Sequence, residues 1–287
     1  MNNLLIETKE IGNHHIKIYY DTDNTCPVKD WDMGGCYVFE HLENGRYWLS
    51  SDCDWEEYSG GHSLRDNSMS DILQRMAADV VEQKDIIAHY KAGKMKDVRF
   101  IYNRHTRMWE LQHYLRWKGA NANWATQLEI EPYELKEDAD YRMELLEGLE
   151  EEDLLAIIQK YAKDFVIKEW SSSGYSQGDH IRGIAYMSKE HFDKTCGFSH
   201  GHYKDWKEQA LHVIDGEIKC IEMWAWGDVK GYVLEKKVPF TKVYADEERE
   251  DEEDIEWEEG DSCWGYYMET EELIAEVIAE HDLKEVA

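Results

Sequence analysis

Three groups of side chains in this sequence have types and spacings that could do chemistry. Cys196, His200 and His202 fall within CGFSHGH, with His180 and His191 nearby and Cys220 or Cys263 as a fourth donor, a set that suits zinc. Structural zinc sites pair Cys or His ligands at both ends, and here one end alone has such a cluster. Incidental surface histidines are therefore the simpler reading, and no metal or cofactor is expected. Asp21, Asp23, Asp30 and Asp32 lie in a turn-rich loop and could converge on Mg²⁺ for hydrolysis, although close carboxylates arise by default in a chain this acidic. No Ser or Cys stands in a recognisable strand-to-helix elbow. A binding role is expected ahead of an enzymatic one.

The third group is the acidic run at 246–259, DEEREDEEDIEWEE, in which eleven of fourteen residues are acidic and one is basic. Wound as a helix of ~1.5 Å rise, it would carry about one net negative charge per ~2 Å. Duplex DNA carries one per ~1.7 Å, so a basic groove built for phosphates would gain counterion-release and Coulomb energy from either polymer. Blocks of like charge are commonly solvated tails. Here Ile255 and Trp257 interrupt the run, and a strand on either side pins it. The expected partner-binding residues are Asp246, Glu247, Glu248, Glu250, Asp251, Glu252, Glu253, Asp254, Glu256, Glu258 and Glu259, with Trp257, Trp264 and Tyr266 as apolar anchors.

The whole composition bears on the same question. With 62 acidic against 32 basic residues the formal charge is −30, which disfavours direct contact with nucleic acid or an anionic membrane. Such charge also keeps a protein monodisperse, so an acidic scaffold is the bland alternative. A chain of 287 residues with 42% hydrophobic content can bury a sizeable core. The six cysteines form no CxxC pair and the first residues resemble no signal peptide, so free thiols in a cytoplasm are expected. No apolar stretch reaches the ~20 residues that span a bilayer.

The elements that must position these groups read as α+β, an antiparallel β-sheet core with flanking helices. HIKIYY at 15–20 alternates as a strand, and 36–40 with RYWLS at 46–50 form a hairpin through Asn44-Gly45. From Ser68 the spacing turns helical through Tyr90, opened by Ser68 and Asp71 and closed near Gly93. VRFIY and MWELQHYLRW flank NRHT as a second hairpin, with a helix starting at Thr106 as the alternative, and a carboxylate-rich segment at 134–153 leads into a helix. Two strands at 165–170 and 182–187 precede a long helix at about 203–223. Then comes a hairpin of strands 229–235 and 263–267, whose loop holds the acidic run, and a helix from Thr270. Three parts follow from this order: 1–60, a β-rich part of the core; 61–153, a helix-and-hairpin insertion; and 154–287, with the acidic loop.

The chain resembles a family of small acidic proteins carried by phages and conjugative elements. The likeness rests on the W-D-x-x-G pattern at Trp31, Asp32 and Gly35, on SSSGYSQGDHIRGIAYMSKE, and above all on GDVKGYVLE followed by DSCWGYY. It covers about 15–50 and 155–280. The family pattern has a Cys and a Trp where Ser172, Ser173, Gly178 and Asp179 stand here, and its hairpin has a short tip. The family has no settled activity, and its setting implies a defence-related or regulatory role. The expected function is that of a non-enzymatic inhibitor in the host cytoplasm. It would bind a basic nucleic-acid-binding defence protein of restriction or CRISPR type by nucleic-acid mimicry, with a homodimer left open. The alternatives are a metal-dependent enzyme of phage or mobile-element nucleic-acid metabolism, and an acidic scaffold.

Overall fold

A computed structural model of the chain describes residues 4–41, 46–49, 68–92, 97–115, 123–135, 140–173, 180–242 and 252–284. The fold is α+β with antiparallel sheets. In chain order it contains β1 (Leu5–Ile11), β2 (His14–Tyr20), α1 (Pro27–Asp30), β3 (Cys36–His41), β4 (Arg46–Leu49), α2 (Met69–Val80), α3 (Gln83–Lys91), β5 (Val98–Asn103), β6 (Met108–Leu115) and β7 (Asn123–Ile130). There follow α4 (Arg142–Leu146), α5 (Glu151–Tyr161), β8 (Phe165–Ser173), β9 (His180–Ser188), α6 (Lys189–Thr195), α7 (Trp206–Ala225), β10 (Lys230–Lys242), β11 (Glu252–Tyr266) and α8 (Thr270–Glu280). The strands form three sheets, ordered β1-β2-β10-β11, β4-β3-β9-β8 and β5-β6-β7. Among the described residues no helix is long and apolar enough to cross a membrane.

The chain divides into two compact units, one of Met1–Trp31, Ser173–Asp179 and Asp215–Ala287, the other of Asp32–Ser172 and His180–Ile214. In the second unit, α2 opens on a capping box: Ser68 Oγ accepts from the Asp71 amide at 3.2 Å and Asp71 Oδ2 accepts from the Ser68 amide at 2.8 Å. The single helix expected from Ser68 to near Gly93 is two helices. Val81 is extended at φ −116°, and a new helix starts after Glu82. The β-branched pair Val80-Val81 weakens the helix at this point. The apolar period carries across the break because Ile72, Leu73 and Met76 of α2 and Ile86 and Tyr90 of α3 bury in one core. That core also takes Leu111 of β6, Ile130 of β7, Leu154 and Ile158 of α5, and Ile184 of β9.

The expected pairing of VRFIY with MWELQHYL is present, with Phe100 opposite Leu111, and β7 extends it into a three-stranded sheet that the spacing did not announce. The hairpin of β3 and β4 is also present, with Phe39 opposite Trp48. The thiol expectation is corrected. Cys196, Cys220 and Cys263 are free, whereas Cys36, buried at the start of β3, is disulfide-bonded. Sequence spacing does not reveal such a bond, because pairing depends on how closely the fold brings two Cα atoms together. Cys53 lies outside the described residues.

In the first unit the alternation of HIKIYY is realised directly: Ile16 and Ile18 are fully buried, while His15, Lys17 and Tyr19 point to the other face. Tyr232 and Leu234 of β10 lie opposite Ile18 and Ile16 and share their face. Leu273, Ile274 and Val277 of α8 complete this core. Each such side chain contributes roughly 1.5–3 kcal/mol by leaving water. Two glycines let β11 follow β10 here. Gly265 turns at φ +85°, where a side chain would be strained, and a Cβ on Gly231 would sit 2.2 Å from the Trp264 ring.

Candidate functional site

The hairpin that carries the acidic run is far longer than its sequence suggests. Strands were expected at 229–235 and 263–267 with a loop between them. β10 instead runs to Lys242 and β11 begins at Glu252, paired in register from Lys242 opposite Glu252 to Lys230 opposite Tyr266. Residues 252–259 are therefore strand and not loop, which corrects the expected acidic loop over that half of its length. Asp246, Glu247, Glu248, Glu250 and Asp251 lie outside the described residues. Two features hid the strand. Pro239 reads as a strand breaker, and the block of carboxylates reads as solvated. Across the ladder, however, Lys236 faces Glu258, and opposite charges on facing residues stabilise a sheet.

The strand geometry also changes the charge spacing. At a rise of ~3.4 Å per residue, the six carboxylates of 252–259 fall about one per ~4.5 Å. The helical figure of one per ~2 Å does not hold, and the comparison moves from duplex DNA toward one nucleic-acid strand, whose phosphates follow at ~3.4 Å along the axis.

Alternation sorts the run onto two faces. Asp254, Glu256 and Glu258 share one face with Lys242, Phe240, Val238 and Lys236; Glu253, Ile255, Trp257 and Glu259 share the other with Thr241, Pro239, Lys237 and Glu235. Lys242 pairs with Asp254, and that hydrogen bond holds the Asp254 carboxyl below its ordinary range. β2 reaches only to His14 opposite Lys236, with one further bond from the Lys237 amide to Asn13 O at 2.8 Å. Beyond that point β10 and β11 continue, among the described strands, as a two-stranded ribbon.

The base of the ribbon is fixed by a cluster that sequence reasoning missed. Trp257 stacks on His15 with ring centroids 3.3 Å apart and planes at 16°. His15 lies between two carboxylates, 3.6 Å from Glu235 Oε2 and 3.7 Å from Glu10 Oε2. Lys17 donates to Glu235 Oε1 at 2.5 Å, a bond that raises the lysine's pKa, and Lys237 sits 5.6 Å over the Trp257 ring. The alternation of His15 and Lys17 with the buried isoleucines was the available signal. The two other expected anchors separate. Trp264 is 39% exposed beside Tyr19 at 6.1 Å, whereas Tyr266 packs against the α8 core near Tyr232.

His200 and His202 are exposed on the loop after α6, and the thiol of Cys196 lies against Thr195 Oγ1 at 3.4 Å. Asp21 accepts from the Asp23 amide at 3.1 Å and so closes its own turn. Among the described residues no group of three or more His, Cys, Asp or Glu side chains is placed to hold a metal ion. The second unit has a cleft of about 320 Å³ lined by Asp79, Glu82, Asp85, Asp164, Lys163 and Tyr161. No family model, no curated protein and no solved structure matches this chain.

Proposed function

We propose that this chain is a non-enzymatic binding protein that places its acidic β-ribbon in the nucleic-acid groove of a basic partner and so inhibits it. The observation that supports this reading is the ribbon itself: six carboxylates in eight residues, four of them at 252–256 carried past the end of β2, anchored at the stacked pair of Trp257 and His15. The strand spacing favours a groove that follows one nucleic-acid backbone over one shaped for a duplex. A host defence enzyme of restriction or CRISPR type is the proposed target. That setting rests on reading the residues at 227–235 and 261–267 as resembling phage and mobile-element proteins. The host cytoplasm is the proposed compartment, and the disulfide at Cys36 is the feature in tension with it.

Capture of partners from host lysate tests the reading when wild type is compared with a variant carrying Asp254→Asn, Glu256→Gln and Glu258→Gln. The wild-type complex is expected to weaken steeply between 50 and 200 mM salt, roughly as phosphate-binding proteins do, and single-stranded nucleic acid is expected to displace it. The variant is expected to bind about tenfold more weakly or worse, with an unchanged circular dichroism spectrum. Equal affinity of the two proteins across the salt series would remove the ribbon from the function.

A further inference from the structure

β11 ends the sheet β1-β2-β10-β11, and its fifteen residues leave one edge unpaired among the described strands. Which of its amides face that edge follows from three observations. The Ile255 amide donates to Asp254 Oδ1 at 2.8 Å, so it turns away from β10. The residue opposite Ile255 is Pro239, which has no N–H to give to the ladder, so this pair is a non-hydrogen-bonded one. The Ser262 amide donates to Asp261 Oδ1 at 2.8 Å and also faces outward. Positions 255 and 262 differ by an odd number, and the one-residue bulge between Glu259 and Asp261 supplies the change of parity. By period two, Glu253, Trp257 and Glu259 present backbone groups to the same free edge as Ile255.

The two edges of the ribbon are not equivalent. On the β10 side Pro239 interrupts the outward amides, a common guard against strand addition. Residues 252–266 of β11 contain no proline. Its edge is screened only by carboxylates, and their sign selects the occupant. A second copy paired antiparallel about Glu256 would set Asp254 against Glu258, and facing like charges destabilise a sheet.

We propose that the free edge of β11 at 253–259 takes up an extended segment of the partner as an added strand, in which basic and apolar residues alternate. The pattern follows from the two faces. Side chains of the added strand on one face would lie beside Asp254, Glu256 and Glu258 and must be Lys or Arg. Those on the other face would lie beside Ile255, 50% exposed, and Trp257 at its centre, with Glu253 and Glu259 at its two ends. This inference rests on the acidic ribbon being the binding element and adds backbone pairing to it.

The test uses the full chain and three labelled peptides: an alternating (Lys-Val)₄, a block peptide of the same composition, and the alternating peptide N-methylated at every second residue on its pairing edge. Amide hydrogen exchange is read at Glu253, Ile255, Trp257 and Glu259. The expected result is at least about tenfold slower exchange at these amides with the alternating peptide, and about tenfold weaker affinity for each of the other two. Ile255→Pro removes one outward amide and is expected to reduce binding of the alternating peptide alone. Equal affinity for all three peptides without protection on β11 would overturn strand addition and leave the electrostatic reading standing. Absence of binding by all three at low salt would overturn both, and protection at another edge would overturn the assignment to β11.

Discussion

Glu110 on β6 and Glu256 on β11 are both strand carboxylates, and the molecule treats them in opposite ways. Glu110 is 3% exposed, and both of its oxygens accept hydrogen bonds from neutral donors. Asn103 Nδ2 gives one at 2.6 Å, Gln112 Nε2 one at 2.5 Å, Thr106 Oγ1 one at 3.3 Å and Thr126 Oγ1 one at 3.4 Å. Arg99 stays near but bonds Gln112 Oε1 at 2.6 Å, with its guanidinium 4.1 Å over Trp124. Glu256 is exposed on a ribbon with Val238 opposite it. The first carboxylate organises a sheet from within. The second contributes little to its own fold and keeps its charge available to a partner. A buried charge is tolerated only where its hydrogen bonds are complete, whereas an exposed one keeps its water until something displaces it.

The sharpest way to break this contrast is Glu110→Ala. It removes the acceptor of four side-chain donors, of which Gln112 is buried and Asn103 half-buried, and a loss of about 1–3 kcal/mol in unfolding free energy is expected, read from urea unfolding. A loss below ~0.5 kcal/mol would mean the network is not structural. Asp140 is an intermediate case, exposed yet held at about 2 by its hydrogen bonds to the Arg142 side chain and then to the Arg142 amide. Because the folded-state value lies below the ordinary one, its contribution is fully present above about pH 4 and is lost as pH falls through about 2. The stability difference between wild type and Asp140→Asn should therefore be constant from neutral pH to about pH 4 and should close toward pH 2. A difference that grows on acidification would contradict the pairing. The smallest effect is expected for Glu256→Gln, within about 0.5 kcal/mol of wild type in the same unfolding experiment. A larger loss would show that the ribbon's carboxylates hold the fold together and are not held in reserve.

Elements whose residues declare their own environment were legible from the chain alone. The capping box at Ser68 and Asp71, the pairing of 98–102 with 108–115 and the buried alternation of Ile16 and Ile18 follow from local spacing. Each is a short-range pattern that a helix or a strand must repeat. β1 and β7 were not legible, because LIETKEI and NWATQLEI carry too few apolar positions to announce a strand, and each is held chiefly by the neighbour it pairs with. The break at Val81 was hidden for the opposite reason, since both helices obey one core.

The acidic residues at the centre of the functional reading were identified by composition, but their geometry was not. Charge is a property of the sequence, and −30 follows from counting. Whether 252–259 is helix, loop or strand depended on Lys236, Lys237 and Lys242, which stand ten to twenty-two residues away in the chain and opposite it in the ladder. Spacing, faces and the open edge of β11 are set by that pairing. Only the tertiary structure could decide them, because a ladder is a contact between segments and neither segment specifies it alone.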